Sequence, residues 1–337
     1  MTLDEGEKCA APGSNGGDWS SLYLILGAVL MPIALPFVVL ECCYRLRVKK
    51  CRNELAGKVV LITGASSGLG EALAHTFYKA GCKVILAARR VEELERVKKD
   101  LLALDAVISS VTYPPVILSL DLAELKDIPD FARKALSVHN KIDILINNGG
   151  ISVRATVGSS ALDVDLKVMV VNYFGSVAIT KAILPSMLKQ KSGHICFISS
   201  VQGKFALPYR SAYSASKHAL QAFSDSLRSE VVDKGVQVTC ISPGYIRTQL
   251  SVNALTGSGK TYGKMDKTTA SGMLPEKVAD RILNAIVGKE KDVMISDSQA
   301  KLAYYARYLF PSLYFWIIGN RARKLEKAEA AEQKKGK

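Results

Sequence analysis

Short apolar segments alternate with segments of helical spacing from residue 57 to residue 297, which leaves few architectures open to this part of the chain. The apolar segments are nearly continuous, so we expect strands that are buried on both faces. Such strands form a parallel sheet that is covered by helices on both sides. The six predicted strands are residues 58–63, 83–87, 116–120, 142–146, 194–198 and 237–241.

A glycine-rich turn lies between the first predicted strand and the first predicted helix. Its spacing is Gly64-x-x-x-Gly68-x-Gly70, which differs from the G-x-G-x-x-G pattern of the long-chain dinucleotide enzymes. Glycines at such a turn let backbone amides and the helix N-terminus approach a pyrophosphate closely. The sequence therefore predicts one α/β domain with a Rossmann-type, doubly wound parallel sheet that binds a dinucleotide.

Two arginines, Arg89 and Arg90, follow the second predicted strand. Enzymes that use NAD(H) usually carry Asp or Glu near this position, whereas an arginine binds a 2′-phosphate through charge-assisted hydrogen bonds. We therefore expect NADP(H) to be preferred, with Arg89 in contact and NAD(H) still possible. The alternative is that both arginines face solvent at a helix start. Asp121, after the third strand, is a candidate for contact with the adenine amine.

Tyr213 and Lys217 are four residues apart in a predicted helix, so their side chains share one face. A free phenol has a pKa of about 10, and a nearby cation lowers that pKa until the phenol exchanges a proton with an alcohol or ketone oxygen. Ser200 ends the fifth strand and is placed to bind the same substrate oxygen. Asn172, in a helix-like segment, either makes local hydrogen bonds or leaves a carbonyl free for water.

The segment after the sixth strand, residues 243–248, is positioned to close over the nicotinamide. Ile246 and Thr248 are therefore candidate cofactor contacts. Residues 249–275 are rich in Gly, Ser, Thr and Lys, and we expect them to form a mobile lid that determines substrate choice.

Taken together, these motifs resemble the short-chain dehydrogenase/reductase family over residues 57–297. The motifs are Thr63-Gly64-x-x-x-Gly68-x-Gly70, Asn147-Asn148-x-Gly150, Asn172, Ser200, Tyr213-x-x-x-Lys217 and Pro243-Gly244. The resemblance implies that Tyr213 transfers the proton, and that Lys217 lowers the pKa of Tyr213 and binds the nicotinamide ribose. It also implies that Ser200 orients the substrate oxygen and that Asn172 completes a proton relay through water.

The same resemblance implies cofactor contacts beyond the glycines. These are Ser66, Ser67, Leu69, Asn148 and Thr248. At Gly149 the chain departs from the family, which usually has Ala there, and we expect a change in fit or loop order.

Residues 22–40 are uncharged and mostly aliphatic, and as a helix they would span about 28 Å. We expect a single-pass anchor over residues 19–41, between a polar tail (1–18) and a basic linker (42–56). A cleaved signal peptide is the alternative, although the preceding tail is acidic. By the positive-inside rule, the basic linker places the catalytic domain in the cytosol.

Residues 298–320 are rich in Tyr, Phe and Trp and precede a basic tail, residues 321–337. Aromatic residues at an apolar–basic border are typical of the membrane interface. The alternative is a helix that caps the domain or packs on a second subunit. The last four residues resemble a dilysine retrieval signal of endoplasmic-reticulum membrane proteins, or form a solvated basic tail. We predict that the protein is located in the endoplasmic reticulum membrane, with the peroxisomal membrane as the alternative location.

The net charge of +14 comes from 45 basic and 31 acidic residues, and over half of it lies in residues 42–57 and 321–337. Two short basic segments on either side of a domain favour an anionic membrane surface over nucleic acid. The seven cysteines show no metal-ligand spacing such as C-x-x-C, so we expect no metal.

The predicted function is a membrane-anchored oxidoreductase that transfers hydride between NADP(H) and a carbonyl or alcohol group of a lipophilic substrate. Residues 209–223, 241–256 and 262–266 further resemble a membrane-anchored subgroup of the family. That resemblance implies reduction of acyl- or alkyl-dihydroxyacetone phosphate, while other anchored relatives act on steroids or retinoids. The family also implies a homo-oligomer. The alternative function is a membrane-tethered, dinucleotide-binding regulator of a protein partner, with little catalysis.

Overall fold

The computed structural model describes residues 52–104 and 112–335, together with scattered residues between positions 23 and 46. The chain divides into two units, Met1–Lys49 and Lys50–Lys337. The described residues of the first unit are helical and exposed. The predicted polar tail, about half of the predicted anchor and linker, and the last two residues of the basic tail lie outside the described residues.

A parallel sheet of seven strands forms the centre of the second unit. Its strands are β1 (Val59–Thr63), β2 (Lys83–Ala88), β3 (Val116–Ser119), β4 (Ile144–Asn147), β6 (Gly193–Ile198), β7 (Val236–Pro243) and β9 (Asp292–Ile295). They lie in the order β3-β2-β1-β4-β6-β7-β9. A small sheet pairs β5 (Val153–Arg154) with β8 (Leu255–Thr256).

The six predicted strands are confirmed to within two residues at each end. The sequence analysis missed β9, the seventh strand. This strand is only four residues long, begins at an exposed Asp292 and pairs with β7 alone. A short edge strand of this kind lacks the continuous apolar segment that identifies the central strands.

Helices cover both faces of the sheet, as the doubly wound prediction requires. The helices are α1 (Gly68–Lys79), α2 (Val91–Ala103), α3 (Ile128–His139), α4 (Leu162–Met169), α5 (Gly175–Gln190), α6 (Ser211–Glu230), α7 (Lys267–Ala270), α8 (Pro275–Val287), α9 (Ser298–Leu309) and α10 (Pro311–Lys335). Val60 and Ile62 of β1 pack with α1, α2 and α8 on one face. Val59 and Leu61 pack with α3, α5 and α6 on the other face.

Within the described residues, one helix is long and apolar enough to cross a membrane, and it is the continuous helix Leu162–Gln190. Ile179, Ile183 and Met187 of this helix are fully buried against the sheet. Its apolar character is therefore explained by its place in the core.

The two C-terminal helices pack on the domain through one face and expose another. Tyr314 is buried, its hydroxyl donates to the Ala206 carbonyl at 3.1 Å, and its ring lies 6.4 Å from that of Phe205. Phe310 and Trp316 are 62% and 64% exposed. The segment predicted to lie on a membrane or to cap the domain therefore has a packed side and an exposed aromatic side.

A buried histidine connects β6 to the neighbouring strand. His194 is 7% exposed, and its Nε2 is 2.8 Å from the Thr239 hydroxyl oxygen. The Thr239 hydroxyl donates to the Glu290 carbonyl, so it accepts from His194 and the ring is protonated at Nε2. Burial lowers the pKa of His194 to about 3, because the imidazolium would lose its hydration.

We expect the protein to lose stability as the pH falls from about 6.5 toward about 3. In that window the unfolded chain binds a proton at His194 and the folded chain does not, so the free energy of unfolding decreases with decreasing pH. The full effect of this pKa shift is on the order of 5 kcal/mol. Denaturant unfolding of the purified full chain at successive pH values measures this loss of stability. The variant His194→Gln should show a shallower decline, and an unchanged decline would contradict the assignment.

Candidate active site

The turn between β1 and α1 forms a cradle that only glycine permits. Gly64 and Gly68 have φ angles of 67° and 59°, which residues other than glycine rarely adopt. A Cβ on Gly70 would lie 2.1 Å from the Gly64 carbonyl oxygen, and a Cβ on Gly64 would lie 2.7 Å from the Gly149 Cα. The backbone at the start of α1 is therefore bare, which fits the close approach of a dinucleotide pyrophosphate.

A cavity of about 480 Å³ lies at the carboxyl ends of the strands, where the strand order reverses between β1 and β4. Ligands bind at this position in open α/β sheets. Every predicted cofactor residue lines the cavity: Gly64, Ser66, Ser67, Gly68, Leu69, Gly70, Arg89, Asp121, Asn148, Tyr213, Lys217, Ile246 and Thr248. Ser200 lines it as well.

The side chains of the two arginines after β2 point in different directions. Arg89 is 58% exposed, and its Nη1 lies 3.9 Å from the Asp121 carboxylate. The Arg90 guanidinium donates to the hydroxyls of Ser66 and Ser67 at 3.1 and 3.0 Å, so it crosses the glycine turn. The predicted contacts included Arg89 and omitted Arg90. The pair of arginines was the available signal, but only the backbone at the start of α2 determines which one turns inward.

Asn148 ties the end of β4 to the end of β1. Its side-chain amide donates to the Thr63 carbonyl at 2.9 Å, and its backbone N–H donates to the Thr63 hydroxyl at 3.0 Å. Gly149, the departure from the family pattern, leaves space that Leu122 fills: a Cβ there would lie 2.6 Å from the Leu122 Cδ1. Alanine at this position would require Leu122 to move.

Three of the predicted catalytic residues meet at the other end of the cavity. Ser200 follows β6, and Tyr213 and Lys217 lie one turn apart at the start of α6. The Lys217 Nζ donates to the Ile198 carbonyl at 2.8 Å and lies 5.8 Å from the centre of the Tyr213 ring. The Ser200 hydroxyl accepts from the Gln202 N–H at 3.1 Å. All three side chains are at most 7% exposed.

Opposing effects act on the ionisable groups of this cluster. The pKa of Tyr213 is raised, because burial outweighs the lowering by a hydrogen bond with Ser200 and by the charges of Arg210 and Arg154. This net direction is opposite to the predicted lowering by Lys217. Burial lowers the pKa of Lys217 to about 8. The ammonium and the phenol therefore lie in a site that disfavours charge, so small changes in their surroundings alter their protonation.

Asn172 lies behind the cavity wall in a π-helical turn, Val170–Phe174, between α4 and α5. Its side chain accepts from the Ile151 N–H at 2.8 Å and donates to the Ile151 carbonyl at 2.9 Å and the Ser216 hydroxyl at 3.0 Å. Its own carbonyl accepts from the Ser176 hydroxyl at 3.1 Å. These contacts position the segment after β4 against α6. The proton relay through water that the resemblance implies stays a prediction.

The parallel sheet, the glycine cradle and the Ser–Tyr–Lys cluster together define a dinucleotide-dependent oxidoreductase. The family described as short chain dehydrogenase matches residues 58–258. The chain is 67% identical over 329 residues to a dehydrogenase/reductase SDR family protein 7-like of Drosophila melanogaster, covering 98% of this chain and 99% of that protein. It is 45% identical over 311 residues to dehydrogenase/reductase SDR family member 7B of Rattus norvegicus, covering 92% and 95%. The protein belongs to the short-chain dehydrogenase/reductase family.

Solved structures of the family agree with this fold. A short-chain dehydrogenase/reductase from Burkholderia phymatum in complex with NAD has a TM-score of 0.66 and 25% identity, and the match covers 77% of this chain and 96% of that one. A metagenomic short-chain oxidoreductase in complex with NADP has a TM-score of 0.58 and 26% identity, with 72% and 98% covered. These neighbours support a nicotinamide dinucleotide as the cofactor.

Proposed function

We propose that the protein is a membrane-anchored, NADP(H)-dependent enzyme that interconverts a carbonyl and an alcohol group on a lipophilic substrate. The observation that supports this most is the meeting of Ser200, Tyr213 and Lys217 at one end of a cavity whose other end is a glycine cradle. The acyl- or alkyl-dihydroxyacetone phosphate, steroid and retinoid classes are the candidate substrates.

Each residue of the cluster has a separate part in this reaction. A bound nicotinamide supplies or accepts the hydride. The Tyr213 hydroxyl donates its proton to the carbonyl oxygen in reduction and accepts a proton in oxidation. Ser200, which lines the cavity beside Tyr213, orients the same substrate oxygen. The Lys217 ammonium, beside the Tyr213 ring, favours the phenolate that remains after proton transfer.

Tyr213→Phe is expected to lower turnover by about 1,000-fold or more while cofactor binding persists, because the proton donor is lost and the cradle is intact. NADPH consumption by the full chain in detergent or lipid, across a panel of lipid ketones, ketosteroids and retinal, measures turnover. Tyr305→Phe, on the exposed side of α9, is the matched control.

Retained turnover in Tyr213→Phe would remove the role given to this phenol. If the wild type binds NADPH and turns over no substrate, and if regulation of a protein partner survives Tyr213→Phe, the binding-protein alternative is supported instead.

The preference for NADP(H) rests on the arginines after β2. The two positions after β2 hold arginines and not the acidic residue that would bind the ribose hydroxyls. The Arg90 guanidinium already donates to Ser66 and Ser67 of the glycine turn. An arginine in this place provides a planar set of donors for a 2′-phosphate.

Arg90→Ala is expected to raise the KM for NADPH about 10-fold or more and to leave the KM for NADH nearly unchanged, since only NADPH carries the 2′-phosphate. Steady-state kinetics with each cofactor measures both values. Arg89→Ala is the matched comparison, and a smaller effect is expected because Arg89 is exposed and directed toward Asp121. Equal losses for NADPH and NADH in Arg90→Ala would show that Arg90 only stabilises the turn.

The membrane part of the proposal is supported by the packing of the C-terminal helices. Val201, which lines the cavity, belongs to the same apolar cluster as Phe205 and Tyr314. The exposed aromatic side of α9 and α10, with Phe310 and Trp316, is therefore next to the segment that follows Ser200. Aromatic residues of this kind suit the membrane interface, where a lipophilic substrate is dissolved.

We expect the full chain to remain with membranes of the endoplasmic reticulum after alkaline carbonate extraction, with the catalytic domain accessible to protease on sealed microsomes. A protease-protected domain would contradict the predicted orientation, and full extraction by carbonate would contradict the predicted anchor. The particle mass after detergent solubilisation tests the proposed homo-oligomer, which a mass of one chain would contradict.

A further inference from the structure

Two nearly buried arginines line the cavity beside the catalytic cluster. Arg154 ends β5 and Arg210 directly precedes α6, and their side chains are 10% and 12% exposed. Neither was among the predicted site residues. Both pair with Asp266, which is 112 positions from Arg154 and 56 from Arg210. A cluster of residues so far apart in the chain cannot be predicted from a local motif.

Asp266 satisfies Arg154 more completely than Arg210. One carboxylate oxygen of Asp266 accepts from Arg154 Nη2 and Nε at 2.6 and 2.9 Å, and from Arg210 Nη2 at 3.0 Å. Arg154 Nη1 donates in addition to the Ser152 hydroxyl at 2.7 Å and the Val153 carbonyl at 3.0 Å. Arg154 therefore has acceptors for all three of its nitrogens.

Arg210 lines the cavity and has hydrogen-bond donors that Asp266 does not occupy. Within residues 52–104 and 112–335, Asp266 is the one hydrogen-bond acceptor of its guanidinium. The Tyr245 ring, whose centre is 5.5 Å from the guanidinium carbon, makes a cation–π contact with it. Two arginines and one aspartate leave a net charge of +1 in a poorly solvated place. Burial accordingly lowers the pKa of Arg210.

The position of Arg210 relates this charge to the reacting atoms. The Arg210 carbonyl accepts from the Ser214 N–H at 2.9 Å, so Arg210 is the N-cap residue of α6, three positions before Tyr213. Arg210 and Tyr213 line the same cavity, and the Arg210 charge is close enough to the phenol to lower the pKa of Tyr213. A group bound by Arg210 therefore lies near an oxygen bound by Tyr213.

We propose that Arg210, held in place by Asp266, Arg154 and Tyr245, binds a negatively charged group of the substrate, a phosphate or a carboxylate close to the reacting carbonyl. This inference rests on the proposed carbonyl–alcohol activity and narrows its substrate class. A guanidinium with free donors binds either anion through two parallel charge-assisted hydrogen bonds.

The test compares matched charged and neutral substrates on the full chain in lipid nanodiscs with saturating NADPH. One pair is a long-chain acyl-dihydroxyacetone phosphate and its phosphate-free counterpart, and the other is a long-chain β-keto acid and its methyl ester. The wild type should prefer the charged member of at least one pair by about 10- to 100-fold in kcat/KM, mostly through KM. The pair that shows the preference identifies the anion.

Arg210→Gln should reduce that preference to about 1-fold and change the KM of the neutral member little, whereas Arg210→Lys should keep part of it. Arg133→Gln removes the same charge from an exposed residue of α3 that does not line the cavity, and it should keep the full preference. No preference in the wild type would overturn the proposal. Equal losses of kcat/KM for the charged and neutral members in Arg210→Gln would also overturn the proposal. They would show that the cluster only holds the segment around Asp266 in place.

Calorimetric binding of the same compounds separates this proposal from the proposed activity. If no compound is turned over, tighter binding of a charged member that Arg210→Gln abolishes supports the anion subsite and contradicts the reductase. If neutral members are turned over as well as charged ones, the reductase is supported and the subsite is wrong.

Discussion

The close packing of the glycine turn against the end of β4 is the contact on which the site depends. β1 and β4 are neighbours in the sheet, and the strand order reverses between them, so their connecting chains diverge and leave a crevice. Gly64 and Gly70 allow the turn to fold on itself, and Asn148 fastens it to β4. Any side chain at these glycines would occupy space that the backbone already fills, and the cofactor end of the cavity would be lost.

The catalytic end is built on a different principle. Here a lysine, a phenol and a hydroxyl are buried together, and burial disfavours the charged form of each ionisable group. The Lys217 ammonium offsets part of that cost by donating to the Ile198 carbonyl at the end of β6. Asn172 separately joins the loop after β4 to α6. The π-helical turn between α4 and α5 determines the direction of the Asn172 side chain, which would point elsewhere in an uninterrupted α-helix.

Residues 249–275 and the C-terminal helices contribute charge and aromatic surface beside the Ser–Tyr–Lys cluster. Asp266 pairs with Arg154 and Arg210, while the Tyr314 hydroxyl joins the aromatic helices to the segment after Ser200. One side of the active site is thus positively charged, and the exposed face next to it is aromatic. An amphipathic substrate with an anionic head and an apolar tail matches both features.

The central strands, the glycine turn and the Tyr–Lys pair could be read from the sequence, because burial on both faces and one-turn spacing are local properties. The edge strand β9 could not, since its half-exposed residues carry little pattern. Which arginine crosses the cradle, Arg89 or Arg90, depends on the backbone direction after β2. The ion pairs of Arg154 and Arg210 with Asp266 were decided only by the tertiary structure, because they join residues that are far apart in the chain and meet through folding of the lid.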